Sequence, residues 1–147
     1  MPSNPPIARR AKSSRSLANS AKVLNAVRKN ATKVGLDELS AGSVAKLCGL
    51  STGSIYSRFE DADEMAIALW EQVVKQPFKQ RLWRGVAINM HRPFSLGIDD
   101  EAKIKADFEN PDEISKLGVE FLVVAKRNNA IGEVVIPEVS AWFNEFG

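Results

Sequence analysis

The segment over residues 35–59 constrains the fold of this chain more than any other part of its sequence. It reads G-L-D-E-L-S-A-G-S-V-A-K-L-C-G-L-S-T-G-S-I-Y-S-R-F. Ser40 and Ser51 belong to the residue types that cap helix N-termini, and Gly49 can adopt the left-handed conformation that ends a helix. The segment therefore predicts two short helices joined by a tight turn, the first ending at Cys48 and the second starting after Ser51.

The second of these helices, predicted over residues 52–59, carries almost no bulky charged side chains. Ile55 and Phe59 are expected to anchor it to the rest of its domain. The remaining face presents small hydroxyls, one phenol and one guanidinium, on Thr52, Ser54, Tyr56, Ser57 and Arg58. These groups suit close approach to a DNA groove better than they suit a catalytic pocket.

Basic residues are concentrated in the first part of the chain. Residues 1–58 contain ten lysines and arginines and only two acids, whereas the rest contains ten basic and sixteen acidic residues. A basic N-terminal part joined to an acidic C-terminal part is typical of a protein that binds nucleic acid at one end. The alternative is that this uneven charge is only a feature of a solvated surface and does not indicate nucleic-acid binding.

The composition excludes several other classes of protein. A single cysteine, Cys48, cannot form an intrachain disulfide, and with His91 as the sole histidine a zinc site is close to excluded. No secretory leader or membrane-spanning stretch is present, so we expect a cytoplasmic protein without a metal or cofactor. No nucleophile–base pair or phosphate-binding loop is present, which makes an enzyme the least favoured interpretation.

The chain before residue 35 is predicted to form an arm and one helix. Residues 1–14 are rich in proline, serine and basic side chains, and are expected to form a flexible basic arm. Recurrence of apolar or small residues every seven positions predicts a first helix over residues 15–34, with Gly35 as its stop. Its inward face is predicted to consist of Leu17, Ser20, Leu24, Val27, Ala31 and Val34. The inward residues of the second helix are predicted to be Val44, Ala45, Leu47 and Cys48.

A fourth helix is predicted after the one over residues 52–59. The acids at residues 60–61 favour its start, and it is expected to run to Val74. Pro77 is expected to kink or end it, with a helical continuation to about Trp83. Residues 84–98 contain glycines and a proline that indicate irregular connections.

The remaining segments are also predicted to be helical. Residues 99–108 have the pattern of a short acidic helix. Asn110 and the proline after it predict the start of an apolar helix that ends near Asn128, and Pro137 is expected to interrupt the tail. Because no segment alternates as a strand does, the predicted fold class is all-α.

Residues 17–74 resemble the N-terminal DNA-binding domain of the tetracycline-repressor (TetR) family. That family has a long first helix ending in glycine, an Ile/Val-Ala pair, an Ala-Gly-Val-Ser turn, a Gly-x-Leu/Ile-Tyr-x-x-Phe segment and an acidic start to the fourth helix. The corresponding residues here are Gly35, Val44-Ala45, Cys48-Gly49-Leu50-Ser51, Gly53-Ser54-Ile55-Tyr56-Ser57-Arg58-Phe59 and Asp63-Glu64-Met65. The resemblance implies a three-helix helix-turn-helix domain, with the motif itself at about residues 39–58.

The resemblance also implies a role for individual residues. Thr52 and Ser54 correspond to base-facing positions, Tyr56 to a tyrosine that packs against the DNA backbone, and Ser40 to a phosphate contact. The full set of implied DNA contacts is Ser40, Ser43, Thr52, Gly53, Ser54, Tyr56, Ser57 and Arg58. Gly53 is expected to permit close backbone approach. A bracing role in helix packing is the alternative for Tyr56.

Two positions depart from the family pattern and remove phosphate contacts. Ala62 stands where the family usually has a lysine, and Gly42 stands where a basic residue is common. The flexible arm is expected to compensate by following the DNA backbone or minor groove. Its basic residues are Arg9, Arg10, Lys12 and Arg15.

The resemblance assigns regulation to the second half of the chain. The predicted domains are an arm over 1–14, a DNA-binding domain over 15–76 and a short helical effector and dimerisation region over 77–147. Trp70, Trp83 and Phe121 are expected to line a pocket for a small apolar effector. The family dimerises through two long final helices, and this sequence leaves little room for both before Gly147, so a shortened or truncated region is expected.

The leading interpretation is a sequence-specific transcriptional regulator that binds double-stranded operator DNA as a homodimer. By the same resemblance it is a repressor that releases DNA when a small molecule binds, although an activator is not distinguished by the sequence. The alternative is a DNA-binding or interaction module that has lost effector binding and dimerisation.

Overall fold

A computed structural model describes residues 6–90 and 112–146, with side chains described over 19–84 and 112–145. Over these ranges the chain is helical and contains no β-strand, which confirms the all-α prediction. Its elements are α1 (Pro6–Val34), a 3₁₀ turn (Leu36–Glu38), α2 (Ala41–Cys48), α3 (Thr52–Tyr56), α4 (Ala62–Leu69), a π-helical segment (Trp70–Val74), α5 (Lys75–Met90), α6 (Glu113–Ala125) and α7 (Asn129–Phe146). The acidic helix predicted over residues 99–108 lies outside the described residues.

The chain divides into two compact units, Met1–Met65 and Ala66–Gly147. The sequence had suggested a boundary after residue 76. Residues 66–76 instead belong to the second unit, because Trp70 and Val74 are buried there and the π-helical segment packs against α6. None of the described helices has both the length and the apolar content needed to cross a membrane.

Helix α1 begins at Pro6, so the predicted flexible arm is wrong from residue 6 onward. Proline is favoured at the first helical position, where its missing N–H leaves no hydrogen bond unmade. The alanines, arginines and lysine that follow it are strong helix formers. The predicted end at Gly35 is confirmed, since this glycine has a φ of 87° immediately after the helix.

The buried face of α1 differs in part from the prediction. Val27 and Ala31 are buried as predicted, but Ser20 and Val34 are exposed. Among residues 19–34, the other buried residues are Val23, Ala26 and Asn30. Leu24 is half-buried, and Leu17 lies outside the described side chains. Both sets have helical spacing, and only the position of the neighbouring helix α2 decides which side of α1 is covered.

Helices α2 and α3 each differ from the prediction in one respect. In α2 one residue has a different orientation, and α3 ends earlier than predicted. Ala41, Val44, Ala45 and Cys48 are buried, which confirms Cys48 as a core residue. Leu47 is 49% exposed, so its predicted inward orientation is wrong. Helix α3 is anchored by Ile55 but ends at Tyr56, where the hydroxyl of Ser57 donates to the carbonyl of Ser54 at 2.7 Å.

Pro77 does not end the helical stretch in the second unit. Helix α4 continues through the π-helical segment into α5, which reaches Met90 and so covers part of the region predicted to be irregular. A proline ring clashes with the carbonyl four residues earlier and lacks an N–H. The wider π turn directly before Pro77 changes the local backbone spacing and accommodates the ring.

The last two helices begin and continue differently from the prediction. Asp112, not Asn110, caps α6, with its Oδ1 accepting from the Ser115 N–H at 2.9 Å. Helix α7 continues through Pro137, so the predicted interruption is wrong. Both Pro137 and Glu133, whose carbonyl loses its helical partner, are exposed, and water can satisfy that carbonyl.

Candidate nucleic-acid interface

Two serines fix the beginnings of α2 and α3. The Ser40 Oγ accepts from the Ser43 N–H at 3.2 Å, and the Ser51 Oγ accepts from the Ser54 N–H at 3.1 Å. Both predicted caps are therefore confirmed. Gly49 has a φ of 69°, the left-handed conformation that lets α2 end and α3 begin three residues later. These local bonds hold α3 at a defined position on the surface of the first unit.

Asn30 connects α1 to the start of α2 and was not predicted to matter. It is the buried polar side chain of α1, and its Oδ1 accepts from the Ser40 N–H at 3.3 Å. A buried amide is retained only where it is hydrogen-bonded, since an unpaired one costs about 1–3 kcal/mol. The sequence signal was a lone asparagine between buried apolar positions of α1, which the seven-residue pattern passed over.

Most of the predicted contact residues are accessible. Ser40, Thr52, Gly53, Tyr56 and Ser57 are exposed, whereas Ser43, Ser54 and Arg58 are half-buried. Tyr56 is 58% exposed, so bracing against the core is not its main contact. The hydroxyl of Ser54 forms a hydrogen bond with that of Ser51 at 3.0 Å. Ser54 therefore takes part in the N-terminal cap of α3 and also belongs to the predicted DNA contacts.

Arg58 has a contact that the sequence did not predict. Its Nη1 donates to the Oγ of Ser20 on α1 at 3.4 Å, and its Nε is buried without a hydrogen-bond partner among the described residues. The guanidinium therefore lies partly against α1. Of the eight predicted contacts, Arg58 is the one whose side chain is directed towards another helix of its own unit.

A surface cavity of about 330 Å³ separates the start of α2 from the end of α3. Ser40 and Tyr56 both line it. Its lining residues are Leu39, Ser40, Ala41, Tyr56, Phe59, Glu60, Asp61, Ala62 and Met65. A helix N-terminus and a phenol favour an anion here, whereas Glu60 and Asp61 disfavour one.

The two acids of the cavity have a structural role in α4. The Asp61 Oδ1 accepts from the Glu64 N–H at 2.9 Å, and the Glu64 Oε2 accepts from the Glu60 N–H at 2.7 Å. This reciprocal arrangement resembles a capping box and explains the acidic start of the helix. The positions that stabilise α4 are thus the ones that weaken the cavity as a phosphate site.

The predicted arm contacts lie in a helix. Arg9, Arg10, Lys12 and Arg15 fall within the first turns of α1, so they do not belong to an extended segment that follows a groove.

The aromatic residues predicted to line an effector pocket form part of a packed core. Trp70 and Phe121 are fully buried, with ring centroids 5.3 Å apart, and Trp142 stacks on Trp70 at 5.8 Å. The Trp70 Nε1 donates to Glu138 at 3.1 Å. Trp83 is half-buried and lies 5.7 Å from the Lys79 ammonium. Among the described residues, Trp70 contacts both Phe121 and Trp142 directly.

Within residues 6–90 and 112–146, no three or more histidine, cysteine, aspartate or glutamate side chains are grouped to hold a metal ion. No protein-family model matches the chain, and no curated protein and no solved structure is significantly similar to it.

Proposed function

We propose that this chain is a sequence-specific regulator that binds duplex DNA through α3 and the start of α2. The observation that carries the proposal is the exposed face of α3, which presents Thr52, Gly53, Tyr56 and Ser57 on a helix fixed by its serine cap and by buried Ile55. Short hydroxyl side chains on a rigid helix can reach base edges and phosphates. The helix-turn-helix assignment of α2 and α3 is part of this proposal.

The start of α2 is proposed to contact a phosphate. Ser40 and the first amides of α2 offer donors to an oxygen anion, and Tyr56 lies beside them. Glu60 and Asp61 oppose this contact, so the site requires basic residues elsewhere on the unit to draw DNA towards it. The net positive charge of the first 58 residues provides them.

Regulation by a small molecule and dimerisation remain parts of the same proposal, taken from the family resemblance. The alternative module without an effector is favoured by one observation, the direct ring contacts among Trp70, Phe121 and Trp142. An effector that binds between these rings would have to separate them.

The test is selection of bound sequences from a random pool of duplex DNA. We expect a common sequence to be enriched, with two half-sites about one helical turn apart if the protein is a dimer. Thr52→Ala should change the preferred base at one position, since a lost base contact costs about 1–3 kcal/mol. Ser140→Ala, an exposed hydroxyl on α7, is the matched control. A pool that shows no enrichment with the wild-type chain would reject sequence-specific binding.

A further inference from the structure

Helix α1 has a strongly basic sequence. It contains eight lysines and arginines and no aspartate or glutamate over its 29 residues. Lys22, Lys29 and Lys33 are all exposed, and among the described residues none of them forms an ion pair. A helix that only needed solubility would carry charges of both signs, since opposite charges one turn apart stabilise it.

The exposed lysines of α1 lie on one side of the helix. Lys22, Lys29 and Lys33 are separated by seven and four residues, which correspond to about two turns and one turn. We name this set the α1 lysine stripe. Arg15 occupies the backbone position two turns before Lys22. The stripe runs for about 16 Å between its first and last members.

The last member of the stripe lies about one turn beyond the residue that holds the start of α2. Lys33 follows Asn30 by three residues, with Lys33 exposed and Asn30 buried. Asn30 is bonded to the Ser40 N–H, which fixes the first turn of α2 at this level of α1. The end of the stripe and the start of α2 therefore lie at about the same level along α1.

We propose that the α1 lysine stripe binds the sugar-phosphate backbone of duplex DNA without reading its sequence. The inference rests on the proposed function and assigns to α1 the phosphate contacts that Ala62 and Gly42 do not supply. A 16 Å stretch of B-DNA carries about five phosphates on each strand, which matches three lysines and a preceding arginine. Over residues 19–34, the side of α1 that carries the stripe shows no run of large apolar side chains that would insert into a lipid surface.

The test compares the salt dependence of DNA binding by full-length variants. Lys29→Gln/Lys33→Gln removes two charges from the stripe, and Lys116→Gln/Lys126→Gln removes two exposed lysines from the second unit as the matched control. Lysine and glutamine have similar helix propensities, so circular dichroism and melting temperature should be unchanged. Binding to a random-sequence duplex is measured by fluorescence anisotropy from 50 to 300 mM salt.

We expect the slope of log K against log salt to become shallower by about 2 for the stripe variant and to stay unchanged for the control. The reduction should be equal for duplexes of different sequence. If the wild type binds duplex DNA and both variants keep its slope, the stripe is not a phosphate contact, while the proposed function stands. If the wild type binds no duplex, both proposals fail. Binding to phosphatidylserine vesicles without binding to duplex DNA would overturn the proposal in favour of a membrane surface.

Discussion

At the residue scale, Gly53 is a position where the fold does not require a glycine but the proposed DNA binding does. A Cβ at this position would meet only the Ser51 Oγ, at 3.9 Å, which is an ordinary contact. The folded chain therefore has no steric need for glycine there. A glycine on the exposed side of α3 is explained if another molecule approaches the backbone closely.

We predict that Gly53→Ala weakens DNA binding at least about tenfold and leaves the fold intact. Alanine favours a helix over glycine by up to about 1 kcal/mol, so the melting temperature should stay equal or rise. Anisotropy with the selected duplex measures the first effect and thermal unfolding the second. Unchanged affinity would show that DNA does not approach this side of α3.

Other residues show which features local sequence can reveal. The caps at Ser40 and Ser51 and the turn at Gly49 were predicted correctly, because each depends on atoms within three or four residues. The burial of Asn30 and the exposure of Leu47 were not, since each depends on how α2 lies against α1. The same holds for Arg58, whose partner Ser20 is 38 residues away.

At the scale of elements, close packing of α5 against α6 depends on Gly118. A Cβ at Gly118 would overlap the ring of Phe78, which is buried. By contrast, a Cβ at Gly42, on the exposed side of α2, would meet nothing within 4 Å. The same glycine-to-alanine change is thus expected to have opposite effects in the two helices.

We predict that Gly118→Ala destabilises the protein by about 1–3 kcal/mol, because Phe78 must move to make room. Gly42→Ala should instead stabilise it by up to about 1 kcal/mol through helix propensity. Thermal unfolding of the two variants and the wild type measures both. Equal stability of Gly118→Ala and the wild type would mean that α5 and α6 are not held in contact at this point.

The start of α6 depends on a charged cap. Burial raises the pKa of Asp112, but hydrogen bonds from Ser115 and Arg81 outweigh it, so the pKa lies below the ordinary value for an aspartate. The Arg81 Nε donates to its Oδ2 at 2.7 Å. A lowered pKa contributes stability above the unfolded-state pKa of about 3.9, and this contribution is lost as the pH falls through the folded-state pKa.

We predict that Asp112→Asn lowers stability at pH 7 by less than about 1 kcal/mol, because the pair is partly exposed and asparagine still caps a helix. The difference from the wild type should disappear as the pH falls through the lowered folded-state pKa of Asp112. Melting temperatures between pH 7 and pH 2.5 measure it, with the exposed Glu71→Gln as the control. A difference that persists at the lowest pH would rule out the charge as its cause.

At the scale of the whole molecule, the second unit exposes large apolar side chains on its last two helices. These residues are Val119 and Val123 on α6 and Ile136 and Phe143 on α7, all between 48% and 59% exposed. Exposed apolar side chains of this size are typical of an interface when they cluster. The proposed homodimer would bury side chains of this kind.

We predict that the chain sediments as a dimer at micromolar concentration and that Phe143→Ser shifts it towards the monomer. Its neighbour Asn144→Ser, also exposed, should leave the association unchanged. Analytical ultracentrifugation over a tenfold range of protein concentration measures the proportions of monomer and dimer. A wild-type monomer would favour the alternative module that acts without dimerisation.

The sequence by itself determined the all-α class, the caps and turn that shape α2 and α3, and the exposed hydroxyls of α3. Each of these follows from helical periodicity or from hydrogen bonds between near neighbours in the chain. The tertiary structure decided the buried side of α1, the partner of Asn30 and the position of Arg58. These depend on contacts between distant residues, whose packing outweighs local propensity. The prediction missed local features at Pro6, where a proline starts α1, at Asp112, which caps α6, and at Pro77 and Pro137, through which helices continue.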